Sequence, residues 1–350
     1  MQTVAQYGED RAFEDFQNLL DAHNRNLMDM QDDLVERTTE RLARYGSGVS
    51  MSMEEHDENG FARPQRVRAG SMVGFPLRSY LGTLQWNRKY FLSATVAEFA
   101  AQITSMFTAD IVNVGVQIKT ALFTGTNYGW NDYLVDNLGR TLGSGVYLPV
   151  KALVNADSGE IPVGPNGETF NPATHTHYLG STSGTDASAA DLTSLVTTVV
   201  EHYAGGSPVI YCNRAQEALL RTLTGFTAYL DARIVGATSA AQAPGTPLIP
   251  TNIYNRAIGI FDGAEVWVKP WIPAQYYFCF VQGQPKPCRL RERTAGSGIL
   301  TLTAEDEKYP LRARHYEREF GVGIWHRTNG AVLQGSSTTY TAPTITSIIG

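Results

Sequence analysis

Lysine is scarce in this 350-residue sequence, cysteine scarcer, and the usual signatures of nucleotide and metal enzymes are missing. Each absence removes a class of function. The three cysteines, Cys212, Cys279 and Cys288, lack zinc-type spacing and leave one unpaired in any disulfide scheme. Cys212 and Cys279 lie in apolar runs, where a thiol serves as a small packing group, so folding in a reducing compartment is expected. No P-loop, GxSxG elbow, HExxH or paired CxxC occurs, and no GxGxxG follows a strand-like run. A formal net charge of −6 argues against a dedicated nucleic-acid reader, which would carry a basic stripe. No apolar run approaches the roughly 18 residues of a membrane span, so no membrane partner is expected. The polar, acidic opening residues lack a basic-then-apolar leader, so no secretory signal is expected.

What is present is an apolar, arginine-biased chain, long enough for one large domain or two smaller ones. Hydrophobic residues make up 43 % and charged residues 18 %, a charge deficit compatible with surface covered by partners. Arginines number 22 against 6 lysines. Arginine suits bidentate carboxylate pairing at interfaces, where lysine is depleted.

Residues 9 to 45 read as an acidic helical arm. Phe13, Phe16, Leu20, His23, Leu27, Met30 and Leu34 recur three and four apart, which places them on one face. That seam fits a helix lying on its own domain or an arm packed on a neighbouring copy. The acids Glu54, Glu55, Asp57 and Glu58 follow. From Phe61 to Phe91 the sign reverses: Arg63, Arg66, Arg68, Arg78, Arg88 and Lys89 occur without an acid. Glycines and prolines punctuate this region and too few apolar residues remain for a core, so an extended cationic hairpin needing support elsewhere is expected. Thr95 to Glu98 has capping-box spacing, and apolar residues from Val96 to Leu122 keep helical period, a helix about 40 Å long. A strand is expected over 146–154, a helix over 186–203, a buried strand over 208–212 and a helix over 214–223. Residues 237–250 read as a connector. Strands are then expected around the Asp262-Gly263 turn and over 276–281, 299–303 and 310–324. The class is α+β.

The most enzyme-like stretch is "HTHY". On a strand His175 and His177 share a face, the spacing that lets two imidazoles hold one metal. No acid follows closely, so two polar histidines at a strand junction are the simpler reading, and a metal-dependent enzyme built on the pair is the rival from another class. Cys212 has no assignable histidine partner, and Asp186 and Asp191 suit a helix start better than a catalytic pair. Between Arg289 and Glu319, seven basic and six acidic side chains alternate, and the arginine density favours an interface. In "EFGVGIWHRTNGAVLQ", Gly321, Gly323, Trp325 and Arg327 share one strand face, which invites close approach by the long helix or a neighbour. Asn329-Gly330 fits a type I′ hairpin turn.

The order of arm, extended flap, long helix, mixed domain and returning strands resembles the major capsid proteins of tailed bacteriophages, the Hong Kong 97-type fold. "FNPATHTHYLGS", "IGIFDGAEVWVKPWIPAQYY", "KPCRLRE" and "EFGVGIWHRTNGAVL" also look like one phage capsid subgroup. The resemblance implies an N-terminal arm over 1–46 and an E-loop over 47–92. A peripheral domain with the spine helix and connector would span 93–149, an axial domain 150–255, and returning strands with a tail 256–350. It also implies self-assembly of pentamers and hexamers into an icosahedral shell around double-stranded DNA, in a virion assembled in host cytoplasm. Portal, scaffold or cement proteins would be further partners. Catalytic residues, cofactors and metals are not implied. An encapsulin-like cellular nanocompartment is the nearest alternative. Candidate contacts between subunits are Arg63, Arg66, Arg68 and Arg78 of the E-loop and Phe13, Phe16, Leu20 and Leu27 of the arm. Some relatives weld subunits through an E-loop lysine; only Lys89, at the base, is available here, so that crosslink is not expected.

Overall fold

The computed structural model describes residues 2–25, 29–46, 58, 70–131, 147–229, 254–294, 296–305 and 311–347. The arm comprises helices α1 (Val4–Tyr7), α2 (Glu9–Arg25) and α3 (Asp29–Leu34), then strands β1 (Val35–Thr38) and β2 (Leu42–Tyr45). β3 (Ser71–Gly74), β4 (Arg78–Asn87), α4 (Arg88–Ser93) and the long helix α5 (Val96–Phe123) follow. Next come β5 (Tyr128–Asn131), β6 (Tyr147–Val150), β7 (Tyr178–Gly180), α6 (Ala189–Val200), β8 (Ser207–Cys212), α7 (Glu217–Leu220) and β9 (Phe226–Ala228). The rest is strand: β10 (Arg256–Phe261), β11 (Ala264–Val268), β12 (Tyr276–Gln282), β13 (Cys288–Glu292), β14 (Leu300–Glu305), β15 (Leu311–Ile324) and β16 (Ala331–Gln334).

The two principal helices start where their capping chemistry says they should. Thr95 Oγ1 accepts from the Glu98 amide at 3.2 Å, and the Glu98 carboxylate accepts from the Thr95 amide at 2.8 Å. Ser188 and Asp191 repeat the box at α6, so Asp191 is indeed a helix-start acid. The expected helix over 214–223 contracts to a 3-10 turn and the four residues of α7. The strand expected over 146–154 is only β6. The connector at 237–250 lies outside the described residues.

The strands form two main sheets. In the first, β1, β13, β15 and β14 are neighbours in that order, and β4 also pairs with β15. In the second the order is β7-β16-β12-β8-β11-β10-β9. α5 lays Val114, Ile118, Leu122 and Phe123 into a core that takes Phe320, Val322 and Ile324 from the first sheet and Phe278 and Phe280 from the second. On the second sheet's other face, Leu192, Leu195, Val196 and Val199 of α6 pack on Ile210, Cys212, Tyr277, Cys279 and Val281. β12 is thus buried on both faces, which is why its sequence is continuously apolar. All three cysteines are buried and unpaired, as their settings in the sequence suggest. Burial pushes their thiols far above the ordinary range.

Three expectations need correction. The arm is helical only to Leu34, because β1 is drawn into a parallel ladder with β13, Val35 opposite Cys288. The described part of the flap is no free hairpin: β3 pairs with β2, and all ten residues of β4 pair with β15. Its support therefore comes from its own chain. Asn329-Gly330 makes no type I′ hairpin either. Neither residue has positive φ, and the strands before and after it belong to different sheets. The turn at Asp262 and Gly263, with φ of 48° and 77°, is the true hairpin of that kind.

The glycines of β15 do mark a close approach, but by segment 74–76 of the same chain, not by the long helix. A Cβ on Gly323 would lie 3.1 Å from Phe75 Cδ1, and one on Gly321 would overlap the Pro76 carbonyl. Backbone yields less readily than a ring edge, so Gly321 is the stricter position. Gly321→Ala should cost about 1–3 kcal/mol and Gly323→Ala less. Urea denaturation of both variants checks the order, and equal midpoints would show that the two approaches are equally tight.

Candidate functional site

Three regions of the structure bear on function. The first is the arm. Phe13 meets Trp86 and Phe99 edge-on at 5.9 and 5.2 Å, and Phe16 meets Phe99 at 5.0 Å. Leu20 packs with Ile299 and Tyr316. The Arg312 guanidinium lies 4.3 Å over the Phe13 ring and bonds Glu9 at 3.1 Å. The seam is therefore filled by the arm's own chain, the first of the two settings that its pattern allows for Phe13, Phe16 and Leu20. The physical reason is local: β4 and the first half of α5 supply an aromatic pocket in cis. Leu27, Arg63, Arg66 and Arg68 lie outside the described residues. Arg78 is described, with its guanidinium 4.1 Å over the Trp130 ring.

The arginine-rich run is paired in the same way. Arg289 bonds Glu36 at 3.0 Å and Glu40 at 3.1 Å. Arg318 pairs with buried Asp110 and lies 3.5 Å from Glu292, which is wholly buried. Arg293 pairs with Glu319. These acids sit on other elements of the same chain, so the alternating charges fasten strands to the arm and to the long helix.

The second region is a sheet surface that the sequence did not disclose. Leu81, Glu317 and Leu300 form one cross-strand row over β4, β15 and β14, and Thr83, His315 and Leu302 form the next. Paired residues share a face. Leu81, Leu300 and Leu302 are 65 %, 53 % and 50 % exposed, whereas Trp86 and Tyr316 on the opposite face are buried. This leaves three exposed leucines on one sheet face, flanking the polar Glu317 and His315 of the central strand β15. Their only forewarning was leucine at alternate positions, which reads equally as an inward face.

The third region is the passage between the two sheets, residues 325 to 330. Arg327 donates to Ala152 O at 2.8 Å, Leu153 O at 3.3 Å and Asn155 Oδ1 at 3.0 Å, and pairs with Asp157 at 3.1 Å. Burial would raise the Asp157 pKa, but the Lys151 hydrogen bond and the Arg327 charge outweigh it and hold the carboxyl well below its usual range. Asn329 donates to Val281 O and Pro285 O at 3.2 and 2.8 Å and accepts from the Val281 amide at 2.9 Å. The Thr328 hydroxyl accepts from Tyr45 at 3.0 Å and lies 2.9 Å from the Tyr203 hydroxyl. Trp325 packs under the Arg289 guanidinium at 4.2 Å. Trp-His-Arg is thus a fastening, with Arg327 buried and Trp325 and His326 half-buried.

Against this passage sit His175 and His177, and the structure adds a residue that the sequence reading missed. His202, two residues beyond α6, brings its Nε2 to 3.1 Å from the Nε2 of both others, which are themselves 3.2 Å apart. His177 Nδ1 is 2.7 Å from the Gly330 carbonyl, so that nitrogen donates. Glu201 Oε1 lies 3.5 Å from His175 Nε2 and 4.0 Å from His202 Nε2. Phe170 covers the group, 4.2 Å from the His202 ring and 4.9 Å from that of His175. Burial keeps the imidazoles neutral: it lowers His177 well below its ordinary value and His202 to about 3. No spacing rule links residue 202 to an HxH pair; a tight turn after an amphipathic helix is the only sign it offers.

No protein-family model matches this chain, and no curated protein does. Solved structures do. One from Mycobacterium phage Patience superposes with a TM-score of 0.66 at 20 % identity, covering 95 % of this chain and 90 % of that one. Looser likenesses include the capsid of a native GTA particle, with a TM-score of 0.49, 11 % identity and coverage of 89 % and 92 %. The holo-SrpI encapsulin complex from Synechococcus elongatus has a TM-score of 0.40, 10 % identity and coverage of 90 % of both chains. The fold is α+β, of the Hong Kong 97 type.

The buried passage generates a prediction of its own. Arg327→Met leaves Asp157 without its guanidinium and strips two carbonyls of their donor, which should cost about 3–5 kcal/mol. Because the folded pKa of Asp157 is depressed, its contribution is present above the ordinary carboxylate range and is lost as pH falls through and below that range. Chemical denaturation at neutral pH and near pH 3 should show a smaller loss on acidification for Asp157→Asn than for the parent. Equal pH dependence would contradict this assignment.

Proposed function

We propose that this chain is the subunit of a closed protein shell, the major capsid protein of a tailed phage. It assembles through pentamers and hexamers around double-stranded DNA that it contacts without sequence preference. The observation that carries the reading is the whole-length likeness in fold, 95 % of this chain against 90 % of a phage structure. The division into arm (1–46), E-loop (47–92), peripheral and axial domains belongs to the same proposal. The exposed leucines of β4 and β14, on one face of the sheet, support it, since exposed apolar side chains suit a contact between copies of one chain. The formal net charge of −6 agrees with a container that does not read sequence. Portal, scaffold and cement proteins would meet the assembled lattice, and the product would be the virion.

The full chain, expressed alone or recovered from infected cells, should give closed shells by negative-stain microscopy. Discrete monomers or dimers under every assembly condition would overturn the proposal. Double-stranded DNA inside particles from infected cells supports the phage role, and an enclosed protein cargo without nucleic acid would replace it with the nanocompartment reading. Leu81→Glu combined with Leu302→Glu should lower shell yield at least about tenfold while leaving the thermal midpoint of the unassembled chain nearly unchanged, since both side chains are exposed. Undiminished yield would remove these leucines from the assembly contacts.

A further inference from the structure

We propose that His175, His177 and His202 form a binding site for a divalent transition metal of the zinc type, with the Glu201 carboxylate as fourth ligand. This inference stands apart from the shell reading, because it depends only on the geometry of one chain.

Three Nε2 atoms converge within 3.1, 3.1 and 3.2 Å of one another. An ion bound about 2.0–2.1 Å from each of three imidazole nitrogens in tetrahedral geometry sets those nitrogens about 3.3 Å apart. The observed triangle therefore nearly has the dimensions of one face of a zinc tetrahedron. Proton placement points the same way. The Gly330 carbonyl can only accept, so His177 carries its proton on Nδ1 and directs the Nε2 lone pair at the other two rings. A hydrogen bond to the outer nitrogen is what fixes the tautomer of metal-bound histidines. A single cation satisfies all three nitrogens, whereas protons can bridge them only in part.

Glu201 Oε1, at 3.5 and 4.0 Å from two of the nitrogens, reaches the remaining corner with a small rotation. Its side chain is 32 % exposed, so the carboxylate stands at the mouth of the site and the imidazoles within it. Glu201 caps the C-terminal end of α6, where exposed helix carbonyls favour a cation. Phe170 closes the group against solvent. With three histidines and a carboxylate the coordination is complete, which describes a structural metal. It would tie the 170–177 segment to the end of α6 and, through Gly330, to the start of β16.

The test uses the untagged full chain, stripped with chelator and then dialysed against Zn2+ or, separately, Co2+. Elemental analysis should give one zinc per chain, a raised thermal midpoint, and with Co2+ the intense visible bands of tetrahedral coordination. His175→Ala lies at the rim and spares the buried Gly330 hydrogen bond, so it should fold and lose at least about a hundredfold in zinc affinity; Glu201→Gln should lose about tenfold or more. His202→Gln provides a second variant at the centre of the triad. Folded parent chain that takes up no stoichiometric zinc or cobalt would overturn the proposal. So would an octahedral cobalt spectrum, or zinc bound as tightly by both histidine variants as by the parent.

Discussion

Arg327 is 1 % exposed, and a guanidinium that cannot lose its proton must be paired wherever it is buried. Much of the organisation of this chain follows from meeting that demand. The guanidinium binds two carbonyls and Asn155 in the stretch just after β6, and the Asp157 carboxylate balances its charge. Two residues later Asn329 does for the β12–β13 connection what Arg327 does for 152–157, holding Val281 and Pro285 through its amide. The chain leaves one sheet at Ile324 and enters the other at Ala331, and the six residues between are held by these side-chain hydrogen bonds together with backbone bonds from Trp325 to Pro287 and from Val154 to Arg327. Such a passage cannot slide, so the two sheets are held in one register.

Everything apolar is arranged about that fixed passage. α5 reaches both sheets from one side because its last two turns meet Phe320 and Ile324 as well as Phe278. Its first half is free to receive the arm, whose aromatic residues would otherwise be exposed. The part-buried ion pair of Arg312 with Glu9 and the buried pair of Arg318 with Asp110 then set the arm and the helix against β15. Among the apolar side chains this leaves exposed are Leu81 of β4 and Leu300 and Leu302 of β14, on the sheet face that a second copy would cover. The fold is internally fastened by arginine, and the proposed contact between copies is aliphatic.

The elements legible in the sequence were those with local determinants. The capping box at Thr95 fixed the start of α5, and the helix expected over 186–203 is α6, begun at the Ser188 box. Asp262-Gly263 fixed a hairpin, and the run Tyr276 to Val281 announced a strand. The misreadings were all of partnership. Helical period through the arm could not reveal that Val35 would join β13, and Asn329-Gly330 has hairpin composition although the flanking strands separate. Phe13, Phe16 and Leu20 form a seam in either setting, because a heptad pattern records that a face is buried and not what buries it. The arginines were read as facing outward partners; their acids lie hundreds of residues away, at Glu9, Glu36 and Asp110. His202 was beyond reach for the same reason: its two companions are 25 and 27 residues earlier and meet it only through the turn after α6.

The central claim is that one chain, braced by its own arginines, presents an aliphatic sheet surface to identical neighbours in a closed shell. A cryo-electron map of assembled particles, at a resolution that traces side chains, tests it most directly. It should show an icosahedral lattice with Leu81, Leu300 and Leu302 buried against an adjacent copy, and with the Arg312–Glu9 and Arg318–Asp110 pairs still formed within each subunit. A lattice in which those leucines face solvent and the arginines pair across subunits would contradict the account.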